Sequence, residues 1–395
     1  IGIVVDEAQA KAQIEKFGAD MLVYGTIDST QDPAALQLNF AWKAPPLQNE
    51  PDPAFGHQKL GKSVPIANVR QGLYKEAVAR DPTLLLRVNI LIWLSKGLAN
   101  NMGGAHDTAL DFFLDAEQKI VGWEDDDGKE VLYYFQGREY LALHQLKNAE
   151  EKFTKAIKLN PDYVNALIGL GNVFFDKASF YFLSQQPLNS DLNVCKDVIK
   201  GDQLVAIADQ IPITLGEALT ATQQAVDSYQ LALEKAPGST WKPLETVATY
   251  MLGRGYRLKG DAARLQGAAY WPQASDDLIK AEDLISPTLQ QFDQDQLHGF
   301  LAYAYFDLAS AQRARGAIYE RQALSASDVQ QTQAYTEQAL AAYNSALENY
   351  QQCSAQKTLL DGDTAYLMQE TIACYCEGYE ILVGKRIGDL GGAAG

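Results

Sequence analysis

The chain has 395 residues, 47% hydrophobic and 21% charged, and a formal charge of −17. That composition supplies a sizeable apolar core, and the length exceeds the ~100–200 residues of one ordinary domain. The acidity argues against nucleic acid or an anionic membrane surface as a partner, and no apolar run reaches the ~18–20 residues of a membrane span.

Residues 1–67 read as a small α/β segment. Ile3–Val5 is a short apolar stretch, and Asp6–Phe17 has helical spacing, with Asp6 as a candidate N-cap and Gly18 as the stop. Met21–Ile27 and Leu36–Trp42 have the pattern of strands, joined by the turn-rich Asp28–Pro33. Pro45–Pro53 and Gly56–Pro65 are read as a loop-rich bridge to a first array helix near Val69–Arg80.

A repeat then begins. Trp93 and Gly97 are followed by Ala109, Phe113 and Ala116, at offsets of 12, 16 and 19 from the glycine. Gly137, with Tyr140 after it, is followed by Ala149, Phe153, Ala156 and Pro161, at offsets of 12, 16, 19 and 24. Val121 stands where the first unit would have its proline. Small residues let two helices of a hairpin approach, the phenylalanine fills the space between them, and proline ends the second helix.

Leu170–Gly171 lies 34 residues after Gly137, but its second helix (Ala225, Tyr229, Ala232, Pro237) is displaced. The glycine-to-alanine step is 54 instead of 12, so the first helix of this unit runs past Asp176 and an insertion near 178–216 follows, with Pro187, Asn189–Ser190–Asp191 and Pro212 as loop signals. A fourth unit starts at Leu252–Gly253, with Tyr256, then Ala274, Leu278 and Ala281, and Pro287 as its close; its interval is stretched by nine residues. A fifth pairs Tyr303–Ala311 with Ala339, Tyr343 and Ala346. Thr364–Lys385 reads as an amphipathic capping helix, and residues 386–395 as a flexible tail.

These offsets resemble the tetratricopeptide repeat, over about 68–385. The resemblance implies a mainly α, right-handed helix-hairpin solenoid of about five hairpins behind a small, incomplete α/β segment. Gly18–Ala19–Asp20 and Leu22–Val23–Tyr24–Gly25 resemble the α/β module of the TolB N-terminal type that precedes such arrays in some bacterial proteins. That module needs one more βα unit ahead of Ile1, and a chain starting without methionine leaves room for a lost N-terminal anchor.

The resemblance also implies a partner-binding groove lined by the first helix of each hairpin. The positions are Leu91, Leu94, Ser95 and Leu98 in the first unit, and Val131, Tyr134, Phe135 and Arg138 in the second. Asn165, Ile168, Gly169 and Asn172 follow in the third, and Val247, Tyr250, Met251 and Arg254 in the fourth. Only Asn172 and Arg254 match the polar clamp with which chaperone-binding members hold a peptide carboxylate, which argues against such a clamp. The groove reads as apolar and aromatic with scattered arginines, suited to a helical or extended apolar segment. Two bland alternatives compete: the insertion or an N-terminal helix fills the groove, or the aromatics are inter-helix core.

No catalytic constellation, cofactor motif or metal motif stands out. His57, His106, His144 and His298 are each isolated from a second histidine, Gly253-x-Gly255 follows a helix, and Glu124–Asp127 lacks calcium-loop spacing. Cys195, Cys353, Cys374 and Cys376 read as buried free thiols, the C-x-C pair pointing to different helix faces. The expected function is a non-catalytic protein–protein interaction scaffold; the alternative is a sensor or regulatory arm of a larger bacterial signalling, defence or membrane-anchored protein.

Overall fold

The structure, a computed structural model, describes residues 7–19, 21–28, 30, 33–42, 56–66, 82–102, 104–124, 128–185, 214–238, 243–295, 297–356, 372 and 374–393. Two compact units emerge: Ile1–Pro45 with Pro53–Leu170 and Gly238–Trp241, and Pro46–Asp52 with Gly171–Pro237 and Lys242–Gly395. The expected boundary at 67/68 falls inside the first unit. Asp6, Ile3–Val5, Pro45–Pro53 and Val69–Arg80 lie outside the described residues, as does 186–213.

The first unit opens with α1 (Glu7–Phe17), β1 (Met21–Asp28) and β2 (Ala34–Trp42). Gly18 ends α1 at φ 59°, and the Ala19 amide donates to the Ile14 carbonyl 3.0 Å away, the bond that closes a helix through a left-handed residue. The stretch expected to be loop contains two more strands, β3 (Gly56–Lys59) and β4 (Val64–Ile66). All pairings are antiparallel, with β1 on one edge of β2 and both β3 and β4 on the other.

β3 and β4 are two halves of one edge separated by a bulge. Asn39 faces Lys59, yet Leu36 faces Val64, so two extra residues are accommodated between them. Gly61, at φ 67°, makes the bend, and the Gln37 amide anchors it by donating to the Gly61 carbonyl at 3.0 Å. Polar Gly56–Lys59 and proline-containing Val64–Ile66 lack the alternation that marks a strand in sequence, which is why they read as loop.

β2 is buried on both faces. Tyr24 and Ala41 pack under Ala10 and Ile14 of α1, and Phe40 points to the helices that follow. These are α2 (Pro82–Met102), α3 (His106–Lys119), α4 (Lys129–Ala142), α5 (Leu146–Leu159) and the start of α6 (Val164–Gln185). Phe40 lies 6.5 Å from Phe135 of α4. Arg87 of α2, 2% exposed, donates to the Leu60 carbonyl at 3.2 Å and to the Lys62 carbonyl, both in the bulge. The sheet and the first hairpins therefore share one core.

The repeat offsets are realised as contacts. A Cβ at Gly97 would stand 2.3 Å from the Phe113 ring, and one at Gly137 2.8 Å from Phe153, so each hairpin closes where glycine admits the ring. Ala109, Ala149 and Ala156 are fully buried beside them. α5 ends at Leu159 just before Pro161, and α3 at Lys119 without any proline. His144, at φ 56°, turns the chain from α4 to α5, where Gly104 (φ 73°) does so one hairpin earlier.

In the second unit, α6 continues to Gln185, past the expected start of the insertion, and α7 (Leu215–Lys235) begins with a Thr214–Glu217 capping box. The hairpin still closes: a Cβ at Gly171 would lie 2.4 Å from the Tyr229 ring. α8 (Pro243–Leu265), α9 (Trp271–Gln294), α10 (His298–Ser325) and α11 (Val329–Ala355) have 23, 24, 28 and 27 residues, against 14 each in α4 and α5.

The nine-residue stretch in the fourth unit is taken up by helix: a Cβ at Gly253 would stand 2.6 Å from Ile285, and one at Gly260, two turns on, 2.6 Å from Leu278. Three expectations change here. Pro287 sits inside α9 instead of ending it. The capping helix is α12, at Cys374–Ala393, so residues 386–393 of the expected tail are helical; Ile387 and Leu390 pack on the core of α10 and α11 and hold them there. Residues 364–371 are outside the described set. Cys353 and Cys376 are not free thiols but form a disulfide between α11 and α12.

Candidate interaction site

Apart from half-buried Ser95, every residue assigned to the groove surface is buried. In the first unit Leu91, Leu94, Tyr134, Phe135, Arg138 and Ile168 are 0–9% exposed; in the second, Asn172, Tyr250, Met251 and Arg254 are 0–8% exposed. Phe135 is enclosed by Phe40 from the sheet, by Phe113, stacked at 5.6 Å, and by Tyr134 at 5.2 Å, and the Arg138 guanidinium lies 5.7 Å from its ring. Tyr134 also contacts Phe153 and Tyr163. These aromatics are inter-helix core, covered in part by the sheet, which corrects their reading as an open surface.

Asn172 has a structural role as well. Its side-chain oxygen accepts a 2.6 Å hydrogen bond from the Tyr229 hydroxyl, within the third hairpin. Repeat-defining Gly171 sits against that same ring.

Gly260 resets the register of the fourth hairpin. It meets Leu278 as Gly137 meets Phe153, so the positions six and three before it and one after are Arg254, Arg257 and Asp261. With Arg264 they form a polar stripe on α8, with side chains 10%, 14%, 16% and 12% exposed. Asp307 of α10, 2% exposed, anchors the stripe. It lies 2.8 Å from Nε of Arg257 and 3.6 Å from Nε of Arg254, and it accepts a 2.6 Å hydrogen bond from the Tyr250 hydroxyl. Burial first, and then the Asp307 charge, push the Tyr250 phenol well above its ordinary pKa. The Arg254 guanidinium lies 4.0 Å from the Phe175 ring of α6, a favourable cation–π distance. Arg257 and Arg264 share Asp261 at 3.3 and 3.2 Å.

Two other polar clusters carry no signal in the sequence. In the first unit Glu139, fully buried, accepts bonds from Asn101 at 2.9 Å and lies 2.8 Å from Nδ1 of His106. In the second, Glu282 of α9 pairs with Arg315 of α10 at 3.2 Å. Burial lifts the Glu282 carboxyl to about 7, outweighing the attraction of Arg315, and the Asp283 charge adds to the rise. A carboxyl raised in the folded state contributes stability that is complete below its unfolded value near 4.5 and lost as pH rises through about 7. Glu282→Gln should flatten the loss of stability between pH 5 and pH 8. Urea midpoints at several pH values measure it, and an unchanged slope would remove Glu282 as the cause.

Among the described residues no helix is long and apolar enough to cross a membrane, and no group of three or more His, Cys, Asp and Glu is placed to hold a metal ion. No family model and no curated protein matches the sequence. Among solved structures the chain is similar to a thermophilic tetratricopeptide-repeat protein of Thermus thermophilus, at 16% identity and a TM-score of 0.32 over 70% of this chain and 99% of that one. It is also similar to yeast Tom70, at 12% and 0.20 over 76% and 85%, and to the tetratricopeptide-repeat domain of P58(IPK), at 14% and 0.20 over 72% and 97%. These likenesses are low. The tetratricopeptide-type hairpin stands on the glycine–ring contacts themselves.

Proposed function

We propose that the chain is a non-catalytic scaffold that binds a protein or peptide segment along its helix hairpins. The observation that carries this reading is the repeated closure of hairpins by glycine against a ring, at Gly97, Gly137 and Gly171. Stacked hairpins of this kind present rows of first helices as extended binding surfaces. The α8 stripe offers a helical or extended segment the exposed edges of Arg257, Asp261 and Arg264, with Arg254 buried beside them. Tyr250 and Met251, buried on the same helix, fix α8 from within, whereas Leu91, Leu94, Tyr134, Phe135, Arg138, Ile168 and Asn172 are core of their own hairpins.

A photo-cross-linking amino acid at position 261 should capture a partner that the same residue at position 279, on the outward side of α9, does not. Equal capture at both positions, or capture only at 279, would reject the α8 stripe. A regulatory arm of a larger bacterial signalling, defence or membrane-anchored protein would use the same surface; the complete reading frame separates that alternative from a free-standing scaffold.

A further inference from the structure

The closing helix α12 is an intrinsically weak helix. It carries five glycines in 20 residues, Gly378, Gly384, Gly388, Gly391 and Gly392, and glycine is the poorest helix former after proline. A Cβ at Gly384, Gly388 or Gly391 would meet nothing within 4 Å. Packing therefore does not require glycine there, in contrast to Gly253, Gly260 and Gly316, each of which faces a side chain closer than 3 Å.

What holds α12 is concentrated on one side. Tyr379 stacks on Tyr350 of α11 at 5.2 Å and lies 6.1 Å from Phe306 of α10. The Arg313 guanidinium sits 4.6 Å from the Tyr379 ring, and Arg386 pairs with Glu320. Ser354 bonds to Glu380. Within this cluster lies the Cys353–Cys376 disulfide, its residues 1% and 0% exposed.

We propose that α12 is a redox-released cap on the α10–α11 hairpin. Oxidised, the disulfide keeps the helix docked over Phe306, Tyr350 and Glu320. A dithiol reductant attacks one sulfur as its thiolate and forms a mixed disulfide while the other cysteine leaves. The second thiol of the reductant then displaces the remaining cysteine. Two electrons and two protons pass to Cys353 and Cys376, which end as thiols, and the reductant ends as its own disulfide. Both sulfurs are buried, so the first attack needs local opening of α12, which its glycines permit. Once the bond is cut, weak propensity and one-sided contacts let the helix leave and bare the aromatic face beneath.

Hydrogen exchange of the full chain, followed by mass spectrometry, tests this. Protection of residues 374–393 should fall at least tenfold when the chain is reduced with dithiothreitol, and equally in an unreduced Cys353→Ala/Cys376→Ala variant, which excludes the other cysteines as the cause. α10 and α11 should keep their protection. Adding Gly384→Ala, Gly388→Ala and Gly391→Ala should restore protection in the reduced chain. Unchanged exchange of 374–393 on reduction would overturn the proposal, as would loss of protection in α10 and α11 together with α12.

Discussion

Replacing Phe153 by alanine should destabilise the first unit by about 3–5 kcal/mol, the range for deleting a buried phenylalanine. The ring is fully buried and lies between two glycines. A Cβ at Gly137 would stand 2.8 Å from it and one at Gly169 2.4 Å, so the same side chain joins its own hairpin to the next first helix. Tyr134 borders it with ring centroids 6.0 Å apart. Alanine leaves a hole between helices whose glycines have no side chains with which to fill it. Urea denaturation followed by circular dichroism measures the effect, and a change below about 1 kcal/mol would mean that the hairpins collapse onto the space.

Replacing Asp307 by alanine should destabilise the second unit by about 3–5 kcal/mol, the expected loss when one partner of a buried ion pair is removed. Arg254 and Arg257 would face each other near Phe175 with their shared carboxylate gone, and the Tyr250 hydroxyl would lose its 2.6 Å acceptor. The size comes from the charges left behind rather than from the worth of the pair. Asp307→Leu combined with Arg254→Met and Arg257→Leu should therefore recover most of the stability while abolishing any partner contact through the α8 stripe. A triple variant no more stable than Asp307→Ala would contradict this account.

The first two complete hairpins are legible in the sequence because their signature is short-range and steric. A glycine opposite a ring at an offset of 16 leaves little freedom in how the helices meet, and Gly97–Phe113 and Gly137–Phe153 follow it. Later hairpins are harder because lengthening both helices changes the offset without changing the contact. Gly253 and Gly260 lie on one face of α8, and both meet side chains of α9; sequence spacing alone favours the first. Pro287 reinforces the error, since proline ends most helices but is carried inside α9 here.

The groove misleads for a related reason. An aromatic stripe on a first helix looks the same in sequence whether it faces a partner or another part of the chain. What covers Phe135 comes from Phe40, 95 positions earlier, on a strand whose pairing with β3 and β4 the sequence does not announce. The disulfide is hidden likewise: Cys353 and Cys376 are 23 residues apart on different helices, and the nearer Cys374–Cys376 pair is the one that stands out. The Asp307 network depends on two helices meeting in a register that the offsets do not contain.

The two-residue bulge between Lys59 and Val64 has a practical consequence for dissecting the chain. It delivers Leu60 against Gly128 at the start of α4, where a Cβ would be only 2.6 Å from the leucine, and presents two carbonyls to Arg87. A fragment begun at residue 68 to isolate the helical array would remove those acceptors, uncover Phe135 and strand a buried guanidinium. Truncations meant for binding assays or crystallisation therefore belong outside residues 7–170, which have to be carried together.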